Sequence, residues 1–182
     1  MIDLSVNFPL SEKIRQNIMK VEDELKKVDS KQKFVPRLKL HCTVKSCGLL
    51  GKQINEDVVP EVIDKTEKLL KKVKPFEVQL QGMGNFPGAI FINVVPNSKL
   101  LELHNLLNDN IPYSEYPEFE GKRYKPHTTI VESVDSSSKL LQVLDKYRGY
   151  DFGEMKVETV DIILGGDASP GDKFKVLKSF KL

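Results

Sequence analysis

The chain has 182 residues, of which 40% are hydrophobic, and its formal net charge is +2. A chain of this size and composition can bury one good core, so we expect a single domain over residues 1–182. No run approaches the ~20 consecutive apolar residues that a membrane helix needs, and the start lacks the basic and apolar regions of a signal peptide. The sequence therefore predicts a soluble, cytoplasmic protein with no membrane partner, and we expect a monomer.

The two cysteines, Cys42 and Cys47, form no Cys-x-x-Cys pair and have no neighbouring set of metal ligands. We therefore expect no zinc site, and the sequence indicates no other metal and no cofactor. Two reduced thiols are typical of an intracellular protein.

Hydrophobic periodicity predicts an alternation of strands and helices. In chain order we expect a strand over 2–8, a helix that starts near Ser11, a strand over 38–46, a helix over 57–73, strands over 76–80 and 89–95 joined by a turn-rich link over 82–88, and a helix capped by Asn97 or Ser98. An acidic, irregular segment over 113–121 follows, then a strand from Pro126, a short helix over 136–147, and strands over 156–164 and 173–180 joined by a loop over 165–171.

Two short segments share one pattern, Leu40-His41-Cys42-Thr43-Val44 and Pro126-His127-Thr128-Thr129-Ile130. Each contains a His-x-Thr-apolar tetrad, and a strand places the side chains at i and i+2 on one face. The order strand, helix, histidine strand, helix, strand occurs twice, with 86 residues between His41 and His127 and also between Asn7 and Asn93. We interpret the chain as a duplication whose two halves pack together.

If the two lobes pack about a rough two-fold axis, His41 and His127 face each other across one cleft. An imidazole serves as acid or base near neutral pH because its unperturbed pKa is about 6.5. One histidine can deprotonate a water molecule while the other protonates a departing oxygen. Thr43 and Thr129 can donate hydrogen bonds to phosphate oxygens, and nothing in this chemistry requires a metal ion.

Basic residues near the tetrads are weaker candidates for phosphate contact. Lys39 and Lys45 have the strand parity of His41, and Arg123 and Lys125 have that of His127. The basic run over 26–45 fits a solvated surface and a phosphate-attracting rim equally well.

Three further residues are expected to have no role in the chemistry. Cys42 and Thr128 lie on the opposite strand face by parity, so we expect them to pack in the core. His104 lies inside a predicted helix, and we expect it to be a packed or surface residue.

On these residues the sequence resembles the two-histidine phosphoesterases, and within them the bacterial and archaeal RNA 2′,3′-cyclic phosphodiesterases, also called 2′-5′ RNA ligases. Beside the tetrads, the likeness includes Phe34-Val35-Pro36, Gly48-Leu49-Leu50-Gly51, Phe86-Pro87-Gly88, Lys125-Pro126 and Ser169-Pro170-Gly171. The sequence departs from the family pattern at Glu132, where a basic residue is common, and at Ser46-Cys47-Gly48, where Phe-Leu-Gly is common.

The resemblance implies an α+β fold of two lobes, with antiparallel sheets flanking a central cleft and helices outside. It also implies that RNA with a 2′,3′-cyclic phosphate end is the partner and that hydrolysis gives a 2′-phosphate, with His41 as proton donor to the leaving 3′ oxygen and His127 as the base acting on water. The same site run backwards would form a 2′-5′ linkage. A small-nucleotide cyclic phosphodiesterase and a non-catalytic RNA-binding module remain open alternatives.

Overall fold

A computed structural model describes residues 2–165 and 174–182. Within these ranges the chain forms nine strands and four α-helices. The strands are β1 (Ile2–Pro9), β2 (Lys33–Phe34), β3 (His41–Leu50), β4 (Phe76–Phe86), β5 (Gly88–Val94), β6 (His127–Val134), β7 (Asp151–Val157), β8 (Thr159–Leu164) and β9 (Lys175–Lys181). The helices are α1 (Glu12–Val28), α2 (Val58–Leu70), α3 (Ser98–Asn110) and α4 (Lys139–Val143).

The strands form two sheets, with the orders β3-β1-β8-β9 and β2-β6-β5-β4-β7. Every neighbouring pair is antiparallel. The predicted α+β architecture with two antiparallel sheets is therefore confirmed. β4, the first strand after the first histidine strand, joins the second sheet, whereas β8, the second strand after the second histidine strand, joins the first.

The helices are exchanged between the halves in the same way. α1 follows β1 of the first sheet but packs on β7 of the second, where it also contacts α4. α3 follows β5 of the second sheet but packs on β3 of the first and contacts α2. Each sheet is therefore packed by a helix that comes from the other half of the chain.

The duplication is visible in the irregularities of the ladders. The β1–β3 ladder skips Val44 and Cys47, and the β5–β6 ladder skips Ile130 and Ser133. The members of each pair of bulges, 44 with 130 and 47 with 133, are 86 residues apart, the offset between the two histidines. Both histidine strands are therefore bent and twisted at the same two positions.

The offset predicted from the asparagines is wrong. Asn7 lies opposite Thr43, whereas the residue opposite Thr129 is Phe91 and not Asn93. The first strands of the two repeats are therefore offset by 84 residues, because the connection to the histidine strand is two residues longer in the second repeat.

Three predicted strand boundaries differ from the structure. The strand predicted over 38–46 is preceded by a 3₁₀ turn at Arg37–Lys39 and continues to Leu50. The predicted link over 82–88 is mostly strand, since β4 continues to Phe86 through an irregularity at Gly82. Gly82 has a φ of +77°, and a Cβ there would collide with the carbonyl oxygen of Arg148. The predicted strand over 156–164 is divided at Glu158 into parts of β7 and β8, which belong to different sheets.

Helix α1 shows how the amphipathic pattern places an element. Its apolar stripe, Ile14, Ile18, Val21 and Leu25, is buried. The helix begins where the Ser11 side chain accepts a hydrogen bond from the Ile14 amide, as expected of an N-cap.

The predicted loop over 165–171 lies outside the described residues except for Gly165, and so do Ser169-Pro170-Gly171 and Lys173. In the part of the chain that is described, no helix combines the length and the hydrophobicity of a transmembrane span.

Candidate active site

His41 and His127 are the first residues of β3 and β6. In each ring, Nδ1 lies within hydrogen-bonding distance of the carbonyl oxygen two residues earlier, at 2.6 Å from Lys39 and 2.7 Å from Lys125. A carbonyl oxygen can only accept, so each Nδ1 carries a proton and donates it to this bond. Nε2 is therefore the nitrogen on both rings that can take up or release a proton.

The starts of β3 and β6 lie against each other although the strands belong to different sheets. The Tyr124 hydroxyl donates a hydrogen bond of 2.8 Å to the carbonyl oxygen of Thr43. The Cys42 sulfur lies 4.0 Å from the same hydroxyl and is also hydrogen-bonded by the backbone N–H of His127. These contacts join the segment before the second tetrad directly to the first tetrad.

Aromatic rings pack against both histidines, more closely at His127 than at His41. The ring centroids of Phe86 and Phe91 lie 5.2 and 5.1 Å from that of His127, and the two phenylalanines stack on each other at 4.3 Å. The Phe174 centroid lies 6.3 Å from His41. No sequence pattern indicates a role for Phe91 or Phe174, whereas Phe86 belongs to the Phe86-Pro87-Gly88 motif. Such rings keep water from part of each imidazole and restrict its rotation.

The two threonines keep the spacing that the tetrads require. Thr43 and Thr129 are half-buried, and each bulge begins only at the following residue, so the His-x-Thr pair stays on regular strand with both side chains on one face. Cys42 and Thr128 are fully buried, which confirms that they pack in the core.

The two cysteines are poor nucleophiles at neutral pH. Burial raises the pKa of the Cys42 and Cys47 thiols to about 12, so both stay protonated, and the thiolate is the reactive form. Within the described ranges, no group of three or more His, Cys, Asp or Glu side chains could hold a metal ion.

The expectation that Lys45 contacts phosphate is corrected by the structure. Its side chain is 1% exposed and forms an ion pair with Glu120 at 2.5 Å, and it also donates to Asn108 Oδ1 at 3.0 Å. Strand parity relates Lys45 to His41 only on an unbroken pleat, and the bulge at Val44 alters the alternation of side chains before Lys45. Lys45 therefore stabilises the acidic segment instead of lining the site.

The other basic candidates are arranged differently. Arg123 and Lys125 are exposed, and Arg123 Nη1 donates to the Glu118 carbonyl oxygen at 3.4 Å. Lys39 is buried, with its Nζ 5.0 Å from the centroid of the Phe174 ring. Arg123 and Lys125 thus stay accessible candidates for an anionic ligand, next to His127 in sequence.

Glu132, at which the sequence departs from the expected family pattern, has a partner across the ladder. It lies opposite Lys33 in the β2–β6 pair, and the Lys33 Nζ is 3.7 Å from Glu132 Oε2. This departure from the family pattern is accompanied by a lysine on the neighbouring strand.

His104 has a structural role, as expected from its position in a helix. Its Nδ1 donates to the Val44 carbonyl oxygen at 2.7 Å, and its Nε2 accepts from the Gly121 amide at 2.9 Å. Both nitrogens are therefore occupied, and burial lowers the pKa of the ring. The sequence gave no indication of these partners, which come from two distant segments.

Residues 11–167 match the sequence profile described as the 2′-5′ RNA ligase superfamily. Two relatives named RNA 2′,3′-cyclic phosphodiesterase align over almost their whole length. The protein from Aquifex aeolicus is 30% identical, and the match covers 92% of both chains. The protein from Methanocaldococcus jannaschii is 25% identical, and the match covers 97% of this chain and 98% of the relative.

Solved structures show the same fold. The TT0787 protein of Thermus thermophilus matches with a TM-score of 0.76 at 20% identity, over 99% of this chain and 97% of the other. The LigT protein of E. coli complexed with 3′-AMP matches with a TM-score of 0.75 at 14% identity, over the same fractions.

Proposed function

Because the chain belongs to the 2′-5′ RNA ligase superfamily, we propose that it hydrolyses RNA 2′,3′-cyclic phosphate ends to 2′-phosphates. The observation that carries the proposal is the matched pair of histidines on two strands that contact each other across the sheets, each held through Nδ1 by the carbonyl oxygen two residues earlier. The names of the relatives support the choice of substrate.

In the proposed reaction, His127 Nε2 takes a proton from water, and the water oxygen attacks phosphorus in line with the bond to O3′. This bond breaks, and protonated His41 gives its Nε2 proton to O3′. The product carries a 2′-phosphate and a 3′-hydroxyl. His41 is left neutral and His127 protonated, so proton exchange with solvent restores the starting state. The assignment of acid and base follows the family resemblance.

Thr43 and Thr129 have a supporting role in this scheme. Their hydroxyls donate to the non-bridging oxygens, where negative charge increases in the transition state. Acid, base and donors thus all come from the two tetrads, and we propose that no metal ion takes part.

The same proton transfers also describe ligation at this site. If the 5′-hydroxyl of a second RNA replaces water, His127 deprotonates it and its oxygen attacks the phosphorus of the cyclic phosphate. The bond to O3′ breaks with a proton from His41, and the product is a 2′-5′ linkage. We propose this ligation as a minor activity of the same residues.

A product analysis tests the hydrolysis. An RNA oligonucleotide with a labelled 5′ end and a 2′,3′-cyclic phosphate is incubated with the protein, with and without EDTA, and the products are separated against 2′-phosphate and 3′-phosphate standards. We expect the 2′-phosphate at the same rate under both conditions. A 3′-phosphate product contradicts the proposed bond cleavage, and inhibition by EDTA contradicts metal independence.

The same assay separates the alternatives. A higher kcat/KM for 2′,3′-cyclic AMP than for the oligonucleotide would favour a small-nucleotide phosphodiesterase. Binding of the oligonucleotide without turnover would favour an RNA-binding module.

The pH dependence tests the two imidazoles. We expect a bell-shaped profile of kcat/KM, because the base must be neutral and the acid protonated. A rate that is flat from about pH 5 to about pH 9 would contradict the mechanism, because imidazoles normally titrate in that range.

A further inference from the structure

Tyr124 connects the two tetrads but has no part in the proposed chemistry. It lies three residues before His127, and its hydroxyl donates to the Thr43 carbonyl oxygen at 2.8 Å. The face of its ring stacks on His104, with 3.9 Å between centroids and 5° between planes. One side chain is therefore fixed at both its polar end and its ring.

The position of β3 explains why these contacts are needed. β3 is an edge strand of its sheet, and its ladder to β1 skips Val44. Carbonyl oxygens at a bulge and at a sheet edge need partners from elsewhere when they are enclosed by protein. Here the Thr43 oxygen accepts from Tyr124 and the Val44 oxygen accepts from His104.

The imidazole of His104, on which the Tyr124 ring stacks, is itself fixed by hydrogen bonds. Its Nδ1 and Nε2 are engaged by Val44 and by Gly121, the latter three residues before Tyr124 in sequence. The imidazole therefore joins β3, α3 and the segment that leads to β6. We call this group of contacts, formed by Thr43, Val44, His104, Gly121 and Tyr124, the Tyr124 clip.

The clip provides a short connection between the two histidines. Thr43 is two residues from His41, Tyr124 is three residues from His127, and a single hydrogen bond joins them. Burial also raises the pKa of Tyr124 well above its ordinary value, so the hydroxyl remains a donor throughout the pH range of an assay.

We propose that Tyr124 is a positioning residue that sets the separation between His41 and His127 through its hydrogen bond to Thr43. The inference rests on the hydrolysis proposed above. Acid and base must both reach one phosphorus atom, and a displacement of about 1 Å can cost about 100-fold in rate. The hydroxyl thus acts on the rate through the histidines and does not touch the substrate.

The substitution Tyr124→Phe removes the hydroxyl and keeps the ring on His104. Tyr147→Phe is the matched control, because the Tyr147 hydroxyl likewise donates one hydrogen bond, to Glu24 at 2.6 Å. We expect both variants to lose about 2–4 °C in Tm, as for one hydrogen bond in a chain of this size. Only Tyr124→Phe should lose kcat, by about 10- to 100-fold, with KM changed less than about 2-fold.

Two kinetic outcomes would overturn the proposal. One is a kcat for Tyr124→Phe equal to that of Tyr147→Phe. The other is an increase in KM at constant kcat, which would indicate a substrate contact. If Tyr124→Phe fails to fold, His104→Gln provides the test, because it loses the stacked ring and keeps an amide donor and acceptor. An unchanged kcat in that variant would likewise contradict the clip.

An NMR measurement separates this inference from the proposed function. The imidazole signals of His41 and His127 should both shift in Tyr124→Phe and stay unchanged in Tyr147→Phe. Unshifted signals in Tyr124→Phe would refute the positioning role whether or not the protein hydrolyses RNA. If the signals shift in Tyr124→Phe but the unmodified protein leaves cyclic phosphate ends intact, the proposed function is refuted and the positioning role is not.

Discussion

The first tetrad, His41 to Val44, and the second, His127 to Ile130, share their backbone geometry and differ in the side chains around them. Both begin a strand, bind Nδ1 to the carbonyl oxygen two residues earlier, and have a bulge at the apolar fourth residue. His127, however, packs against two phenylalanines and is more exposed, whereas His41 is buried near Phe174.

This difference shows what the duplication fixes and what it leaves variable. The backbone fixes which nitrogen of each imidazole can transfer a proton. The neighbouring side chains are not repeated, so two equally oriented histidines can take different roles, one as acid and one as base. The next four predictions test this distinction.

The largest effect is expected from removal of either histidine. His41→Ala and His127→Ala should each lower kcat by about 10²- to 10⁴-fold, the contribution of a general acid or base. The double variant should be only slightly worse than either single variant, because residues that act as a unit are not additive. Turnover of the cyclic phosphate oligonucleotide by folded protein measures this. A loss of kcat in only one of the two single variants would contradict the claim that both histidines take part in the reaction.

The second prediction concerns Lys45, which lies one residue after the bulge at Val44. The equivalent position in the second repeat, one residue after the bulge at Ile130, is the apolar Val131. Lys45→Met leaves Glu120 without its buried cation, so we expect the free energy of unfolding to fall by about 3 kcal/mol. The double variant Lys45→Met/Glu120→Gln should recover part of this loss. Urea unfolding measures both. A loss below about 1 kcal/mol would mean that the pair behaves like an exposed one.

The third prediction compares neighbouring threonines on opposite faces of a strand. Thr129→Val should lower kcat by about 10- to 100-fold, somewhat less than a complete oxyanion donor in other enzymes, and Thr43→Val should act in the same way. Thr128→Val is the matched control, because its buried Oγ1 has no hydrogen-bond partner within the described residues. Equal kinetics for the valine variants at 128 and 129 would disprove the assigned role.

The smallest effect is expected at the exposed basic residues. Arg123→Ala and Lys125→Ala should each raise KM for RNA by about 2- to 5-fold, since an exposed charge contact contributes less than about 1 kcal/mol. The effect should decrease as salt is added. Lys99→Ala, which removes an exposed lysine paired with Glu102 on α3, is the control. The same KM in all three variants would exclude these residues from the RNA contact.

Much of the candidate site could be predicted from sequence because it depends on local rules. The His-x-Thr spacing on a strand is set by the two-residue period, and the structure places both tetrads on strands. Core packing of Cys42 and Thr128 follows from the same period and is confirmed. The α+β class follows from the family resemblance and from the alternation of predicted helices and strands.

What could not be predicted depends on long-range contacts or on single-residue irregularities. The bulge at Val44 reversed the expected orientation of Lys45, and sequence periodicity does not mark a bulge. The exchange of β4 and β8 between sheets requires knowledge of strand pairing. The bond from Tyr124 to Thr43 joins residues that are 81 positions apart.

A crystal structure with a bound nucleoside 2′-phosphate is the most direct test of the claim that both histidines act on one phosphorus atom. We expect phosphate oxygens within about 3 Å of Nε2 of His41 and of Nε2 of His127, with the hydroxyls of Thr43 and Thr129 on the remaining oxygens. A phosphate held by one histidine alone, or bound away from both tetrads, would contradict it.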